Sequence, residues 1–126
     1  MDILSILLIV GILFSHFVAD FACQSDKMKK DKSANNDVLL SHVLVYTAVL
    51  FVLTFVSMFA VTAVAWDYLL YWAVLNGALH FIVDYFTSRA TTKLWAKGDT
   101  HNFFLVIGFD QFLHSTTLIG TFIWLF

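Results

Sequence analysis

The sequence predicts an all-α integral membrane protein, a four-helix bundle, and three observations support this fold class. Hydrophobic residues make up 60% of the 126 positions, only 13% are charged, and the chain has no proline. Its mean hydropathy of +0.84 is far above that of a soluble domain. Four apolar stretches have the ~20 residues that a helix needs to cross the ~30 Å hydrocarbon core, namely 3–22, 38–64, 68–87 and 102–126.

Each stretch is read as a helix because an open strand would leave backbone amides unpaired in lipid. The first begins with Met1 and Asp2, without a basic segment, and ends without a small-x-small cleavage site, so we interpret it as a retained span. The second, third and fourth follow as uninterrupted apolar runs. No linker or repeat divides the chain, which predicts a single transmembrane domain over residues 1–126.

The basic residues predict the orientation. All seven Lys and Arg lie in the first connection, 23–37, or in the third, 88–101. The positive-inside rule places both connections in the cytoplasm and both termini on the outer (periplasmic or extracellular) side of the cell inner membrane, in a multi-pass arrangement. Arg89, Lys93 and Lys97 recur every four residues, so they form either a short helix on the membrane surface or a solvated basic loop.

Composition also bounds the partners. The net charge of −2 argues against nucleic acid, which needs a basic face. Cys23 is the only cysteine, so an internal disulfide is excluded. The lipid bilayer is the expected surrounding, and the sequence leaves oligomerisation open.

Ionisable side chains inside three of the spans are the main functional signal. A charged group at the centre of a span costs at least ~2.5 kcal/mol, so its presence suggests function. The spans carry three histidine–aspartate pairs spaced i, i+4, which places both members on one helix face. These pairs are His16 and Asp20, His80 and Asp84, and Asp110 and His114.

The depths of these residues, counted at ~1.5 Å per residue from the cytoplasmic helix ends, allow them to converge in one half of the bundle. Imidazoles and carboxylates together suit a divalent metal, with Zn, Mn or Fe fitting best. We expect all six paired residues to be metal ligands, with Asp20 and Asp84 as catalytic groups that exchange protons. His42, Gln24 and Asn76 are expected to position these ligands, whereas Gln111, next to Asp110, is expected to point to a different side of its helix.

The same residues carry a resemblance to a known family. His16-x-x-x-Asp20-Phe21-x-x-Gln24, His80-x-x-x-Asp84-Tyr85 and Asp110-Gln111-x-x-His114 occur in order along nearly the whole chain. This set resembles the small membrane proteins of domain of unknown function family 3307. The resemblance implies a bacterial or phage membrane protein, and it brings no activity with it.

Four functions fit these observations. The first is a metal-dependent hydrolase that acts on a lipid or phosphoester near the cytoplasmic leaflet. The second is a small transporter or proton relay. The third, a haem-binding bundle, is disfavoured by the adjacent aspartates. The fourth is a non-catalytic effector that binds another membrane protein and uses the polar residues as interhelical hydrogen bonds.

Overall fold

The computed structural model describes residues 3–59 and 65–126. The last part of the second predicted span, 60–64, and the outward placement of Met1 and Asp2 therefore lie outside the described residues.

The described chain is helical and contains no strand. Four of its helices are long and apolar enough to cross a membrane, which confirms the all-α prediction and indicates a multi-pass membrane protein. The elements in order are α1 (Ile3–Phe17) with a π-helical turn (Val18–Ala22), α2 (Asp26–Asp31), α3 (Asn36–Phe59), α4 (Trp66–Ala96) and α5 (Thr100–Leu125).

The helix of the third predicted span, α4, is longer than the apolar pattern predicted. Arg89 and Lys93 lie on the continuation of α4, so residues 88–96 form neither a separate surface helix nor a loop. Hydropathy reports where the apolar stretch ends, whereas backbone hydrogen bonds continue as long as good helix formers follow. α4 ends at Ala96. Gly98 follows shortly after it with φ of 71°, the left-handed geometry that glycine tolerates after a helix. The membrane-surface role of Arg89, Lys93 and Lys97 stays a prediction.

One end of the bundle carries the basic residues and is here called the basic end. In its two connections, side chains cap the helices that follow. The Ser25 side chain accepts a hydrogen bond from the Met28 amide at the start of α2. The Asp99 side chain caps α5, and its bonds from the Asn102 side chain and backbone amide lower the pKa of its carboxyl. This cap therefore stabilises the fold at neutral pH, and its contribution is lost as the pH falls through the lowered pKa.

Away from the basic end, the helices pack through an apolar core. Its buried side chains come from all four long helices. The largest fully buried ones are Trp72, Tyr46, Ile12, Leu50, Leu69 and Leu118. The buried histidines and aspartates of the spans lie on one side of this core.

We predict that Gly77→Ala destabilises the bundle by about 1–3 kcal/mol, the usual cost of overpacking. α3 and α4 approach closely at this position, as small residues allow between membrane helices. A Cβ at residue 77 would overlap Thr47 Oγ1 and lie 3.3 Å from Thr47 Cβ. Thermal unfolding of the detergent-solubilised protein measures the effect.

Gly108→Ala is the matched control, because a Cβ there meets no atom within 4 Å. This change is expected to be neutral or slightly stabilising, since alanine favours helix over glycine by up to ~1 kcal/mol. Equal midpoints for the two variants would contradict the close helix approach.

Candidate metal centre

Four helical segments bring their polar side chains to one cluster. α1 together with its π-helical turn, and the helices α3, α4 and α5, all contribute. The seven ionisable residues of the spans lie there, with the side chain of Asp110 the most exposed at 14% and the others at 6% or less. They are His16, Asp20, His42, His80, Asp84, Asp110 and His114.

The most compact part of the cluster has four members, Asp20, His42, His80 and Asp84, here called the four-ligand group. Their candidate ligand atoms all lie within 4.8 Å of one another. The Nε2 atoms of His42 and His80 are 3.1 Å apart. Asp20 Oδ1 lies 3.3 Å from His42 Nε2 and 3.5 Å from His80 Nε2. Asp84 Oδ2 lies 3.5 Å from each of these nitrogens.

Five of the six separations among these four donor atoms are therefore 3.1–3.5 Å, close to the edges of a small tetrahedron. The centre of a regular tetrahedron with edges of ~3.3 Å lies ~2.0 Å from each corner, which matches zinc–nitrogen and zinc–oxygen bond lengths. Two imidazoles and two carboxylates are also a donor set that Zn, Mn or Fe accepts. The buried group can therefore hold a metal ion.

A second group of candidate ligands adjoins the first. It consists of Asp20, Asp110 and His114, whose ligand atoms also lie within 4.8 Å of one another. Asp20 belongs to both groups. Its Oδ1 faces His42, while its Oδ2 accepts a hydrogen bond of 3.1 Å from Gln111. One carboxylate thus connects two potential cation positions.

His114 contacts the four-ligand group from outside. Its Nδ1 lies 3.3 Å from His80 Nδ1, and its Nε2 lies 3.3 Å from both Asp84 Oδ1 and Asp110 Oδ1. Such contacts fix the ring orientation and tautomer of a ligating histidine. On the other side, the Gln24 amide nitrogen lies 3.5 Å from His42 Nδ1, and the positioning role of Gln24 stays a prediction.

The four-ligand group contains His42 and not His16, which differs from the roles that we expected from the sequence. His42, expected to position ligands, is a member of the four-ligand group. His16, expected to be a ligand, belongs to neither group and lies 4.0 Å from Asp20 Oδ2. Its ring nitrogens contact the Tyr46 hydroxyl at 3.2 Å and Gln111 Oε1 at 3.1 Å.

Our expectation that Gln111 points away from the cluster is wrong. Its amide nitrogen donates to Asp20 at 3.1 Å and to Asp110 at 3.0 Å. Residues 110 and 111 differ by 100° around α5, but a flexible glutamine side chain spans that difference because α1 packs against this side of α5.

Sequence reasoning missed three further contacts of the cluster. Lys32 Nζ lies 2.7 Å from Asp84 Oδ2 in a largely buried ion pair. The Tyr46 ring stacks on His80 with a centroid distance of 3.9 Å. The Thr87 hydroxyl donates to Asp110 at 2.6 Å. In the sequence, Lys32 was used only to predict orientation, and Tyr46 lies within the second apolar stretch.

Asn76 lies one turn before His80 on α4 and bridges two helices. Its amide donates to Thr121 Oγ1 on α5 at 2.8 Å and to the Trp72 carbonyl at 2.9 Å. These bonds run toward the apolar core, so Asn76 orients α4 against α5, and within the described residues its hydrogen bonds do not reach the four-ligand group.

The π-helical turn has a local cause and a positional consequence. The Cys23 amide bonds to the Val18 carbonyl at 2.9 Å, an i to i+5 hydrogen bond. Asp20 lies inside this widened turn. Turns of this kind occur in helices frequently at functional sites, where they re-aim one side chain.

A cavity of about 180 Å³ connects the cluster with the basic end. Its wall includes the carboxylates of Asp20, Asp84 and Asp110, the Lys32 ammonium beside Asp84, and toward the outside the half-exposed Lys29. We call this space the cluster cavity. It gives water or a small polar group a route to the carboxylates.

Comparisons with known proteins agree with the motifs. The family described as "Protein of unknown function (DUF3307)" matches residues 7–126, nearly the whole chain. No curated protein and no solved structure matches the chain. The resemblance predicted from the histidine and aspartate motifs is thus confirmed, and the chain belongs to the DUF3307 family, whose function is unknown.

Proposed function

We propose that this protein is an intramembrane metal-dependent hydrolase. The observation that carries the proposal is the four-ligand group, with two imidazole nitrogens and two carboxylate oxygens at the separations that a tetrahedral ion requires. An ion there also explains how two buried aspartates, Asp20 and Asp84, tolerate each other.

A divalent ion in this position would lower the pKa of a bound water and polarise an ester oxygen. In the hydrolysis, the water oxygen bonds to the phosphorus or carbonyl carbon and the bond to the leaving oxygen breaks. One proton of the water passes to a carboxylate and then to the leaving oxygen. No oxidant or reductant is needed.

Asp110 is the carboxylate best placed to move this proton. Asp20 and Asp84, which the sequence predicts as catalytic, are committed to the four-ligand group, whereas Asp110 lies outside it and lines the cluster cavity. The Thr87 hydroxyl and the Gln111 amide donate to its two oxygens and hold it in place.

The orientation follows from the charges. We place the basic end in the cytoplasm and both termini on the outer side of the inner membrane, as the positive-inside rule predicts. The cluster cavity then faces the cytoplasmic leaflet, and the substrate is a lipid or another phosphoester reached from that side.

The apolar core favours a hydrolase over a transporter or proton relay. A relay needs polar groups across the full membrane. Beyond the cluster, the described interior contains the buried apolar side chains of Ile12, Leu50, Leu69 and Leu118, and its buried polar side chains there, such as Thr54, are uncharged. The cluster is therefore accessible from one side, as suits a catalytic site.

Metal analysis of the purified protein tests the proposal. We expect about one or two divalent ions per wild-type chain and less than about a tenth of that in His80→Ala, because His80 belongs to the four-ligand group. His101→Ala, an exposed histidine on α5, is the matched control and is expected to keep its metal. Wild-type protein without stoichiometric metal would overturn the proposal.

A further inference from the structure

We propose that the outer part of the cluster cavity binds the phosphate group of the substrate, through Ser88, Lys29 and Lys32. This inference rests on the proposed function and deepens it, because it narrows the substrate to a phosphate ester. Three independent features of the cavity wall carry it.

The first feature is the hydroxyl of Ser88. This residue is 8% exposed, lines the cluster cavity, and its Oγ has no hydrogen-bond partner within the part of the chain that the structure describes. A helical serine ordinarily donates to the carbonyl one turn earlier, and a buried hydroxyl without a partner costs ~1–3 kcal/mol. The Ser88 hydroxyl is therefore a buried donor at the cavity wall that the described protein leaves without a partner.

The neighbouring hydroxyls are already engaged. Thr87 donates to Asp110, and Thr91 donates to the Ser88 carbonyl at 3.0 Å. Thr92 Oγ1 lies 2.9 Å from both Ser33 Oγ and the Ser88 carbonyl. Ser88 thus differs from the other hydroxyls of this wall in having no bond within the described protein.

The second feature is the pair of lysines on the cavity wall. Lys29 and Lys32 line the cavity. The Lys29 side chain is 51% exposed with its ammonium 3.8 Å from Asp26, and the Lys32 ammonium lies 2.7 Å from Asp84. Arg89, also on this side of the bundle, is held elsewhere: it donates to the Tyr85 carbonyl and to Asn36, each at 2.7 Å, and covers the Tyr85 ring. The two ammonium groups therefore provide the cationic part of the wall.

The third feature is the arrangement of charge along the cavity. The carboxylates of Asp20, Asp84 and Asp110 line the cavity with largely buried side chains, the Lys32 ammonium lies 2.7 Å from Asp84, and Lys29 lies on the more exposed side. A cation on the carboxylates would leave a phosphate between two positive regions, and it would release Lys32 from Asp84 toward the phosphate oxygens. A neutral ester would use neither lysine.

The size of the cavity limits what enters. About 180 Å³ is below the ~300–1,000 Å³ of sites that enclose a whole drug-sized ligand. It therefore receives a phosphate and its nearest atoms, either the headgroup of a phospholipid or a soluble phosphate ester, while the remainder of the molecule stays outside.

Binding of inorganic phosphate to the purified full-length protein tests the proposal, measured calorimetrically in metal-free and zinc-loaded samples whose metal content is determined. We expect Ser88→Ala and Lys29→Ala each to weaken phosphate binding about 10-fold, the size of one hydrogen bond to a charged group. The matched controls are Ser41→Ala and Lys30→Ala, two exposed residues that do not line the cavity, and they should stay within about two-fold of wild type.

The two proposals fail in different ways. The phosphate site is overturned if the zinc-loaded Ser88→Ala and Lys29→Ala variants bind phosphate as tightly as wild type. It is also overturned if wild type binds no phosphate with or without zinc. Both results leave the metal centre intact. Phosphate binding that depends on Ser88 and Lys29 in protein that takes up no metal supports the phosphate site and overturns the hydrolase.

Nanodiscs distinguish the two sources of phosphate. The same titration is made in phosphatidylcholine discs with and without one-fifth phosphatidic acid. A headgroup site predicts that phosphatidic acid competes with inorganic phosphate in wild type but not in Ser88→Ala. A site for soluble esters predicts equal affinities in both discs, with the Ser88 dependence retained.

Discussion

Replacing Asp84 by asparagine is expected to weaken metal binding more than about 100-fold, since changes around a metal ligand alone cost 10- to 100-fold. Asp84 supplies an oxygen 3.5 Å from both His42 Nε2 and His80 Nε2, and the amide of asparagine is neutral. Hydrolysis should be lost with the metal. Equilibrium dialysis against zinc measures the affinity.

The same change is expected to destabilise the metal-free protein by about 3 kcal/mol, because removing one partner of a buried ion pair leaves the other charge uncompensated. The partner is Lys32, 2.7 Å away, with its side chain only 16% exposed. Asp31→Asn, an exposed change of the same kind on α2, should alter neither property.

The double variant with Asp84→Asn and Lys32→Met separates the two roles of Asp84. Methionine removes the unpaired ammonium, so most of the lost stability should return, while metal binding should not. If the cluster served only as interhelical hydrogen bonds in a non-catalytic effector, wild type would bind no metal and only the stability would respond. That result would leave the fold and remove the hydrolase.

The spans were predictable because lipid imposes a simple rule on composition. Any 20-residue apolar run must become a helix, and the structure has helices in all four places. Helix ends were less predictable. The continuation of α4 to Ala96 depends on local helix propensity, which hydropathy does not report.

The convergence of the histidines and aspartates was predictable from spacing. Residues at i and i+4 share a face, and polar faces turn away from lipid toward one another. Which residues form the four-ligand group was not predictable, because this depends on the rotation of each helix and on the π-helical turn that carries Asp20. Lys32 reached the cluster through the fold of the first connection, which no periodicity encodes.

The expected and the observed positions differ most clearly for His16 and His42. We expect His42→Ala to weaken metal binding more than about 100-fold, and His16→Ala to weaken it no more than about 10-fold, the lower limit for groups around a metal site. His42 Nε2 lies 3.3 Å from Asp20 Oδ1 and 3.1 Å from His80 Nε2, inside the four-ligand group. His16 lies 4.0 Å from the other Asp20 oxygen.

Both rings are at least 95% buried in their side chains, so the two substitutions create similar cavities and the comparison holds the loss of packing nearly constant. Zinc affinity and thermal midpoint should therefore dissociate: the midpoints fall together, whereas the affinity falls mainly in His42→Ala. A larger loss of zinc affinity in His16→Ala would restore the ligand set predicted from the i, i+4 pairs. It would also mean that α1 rotates on metal binding, because Tyr46 and Gln111 hold the His16 nitrogens in the metal-free arrangement.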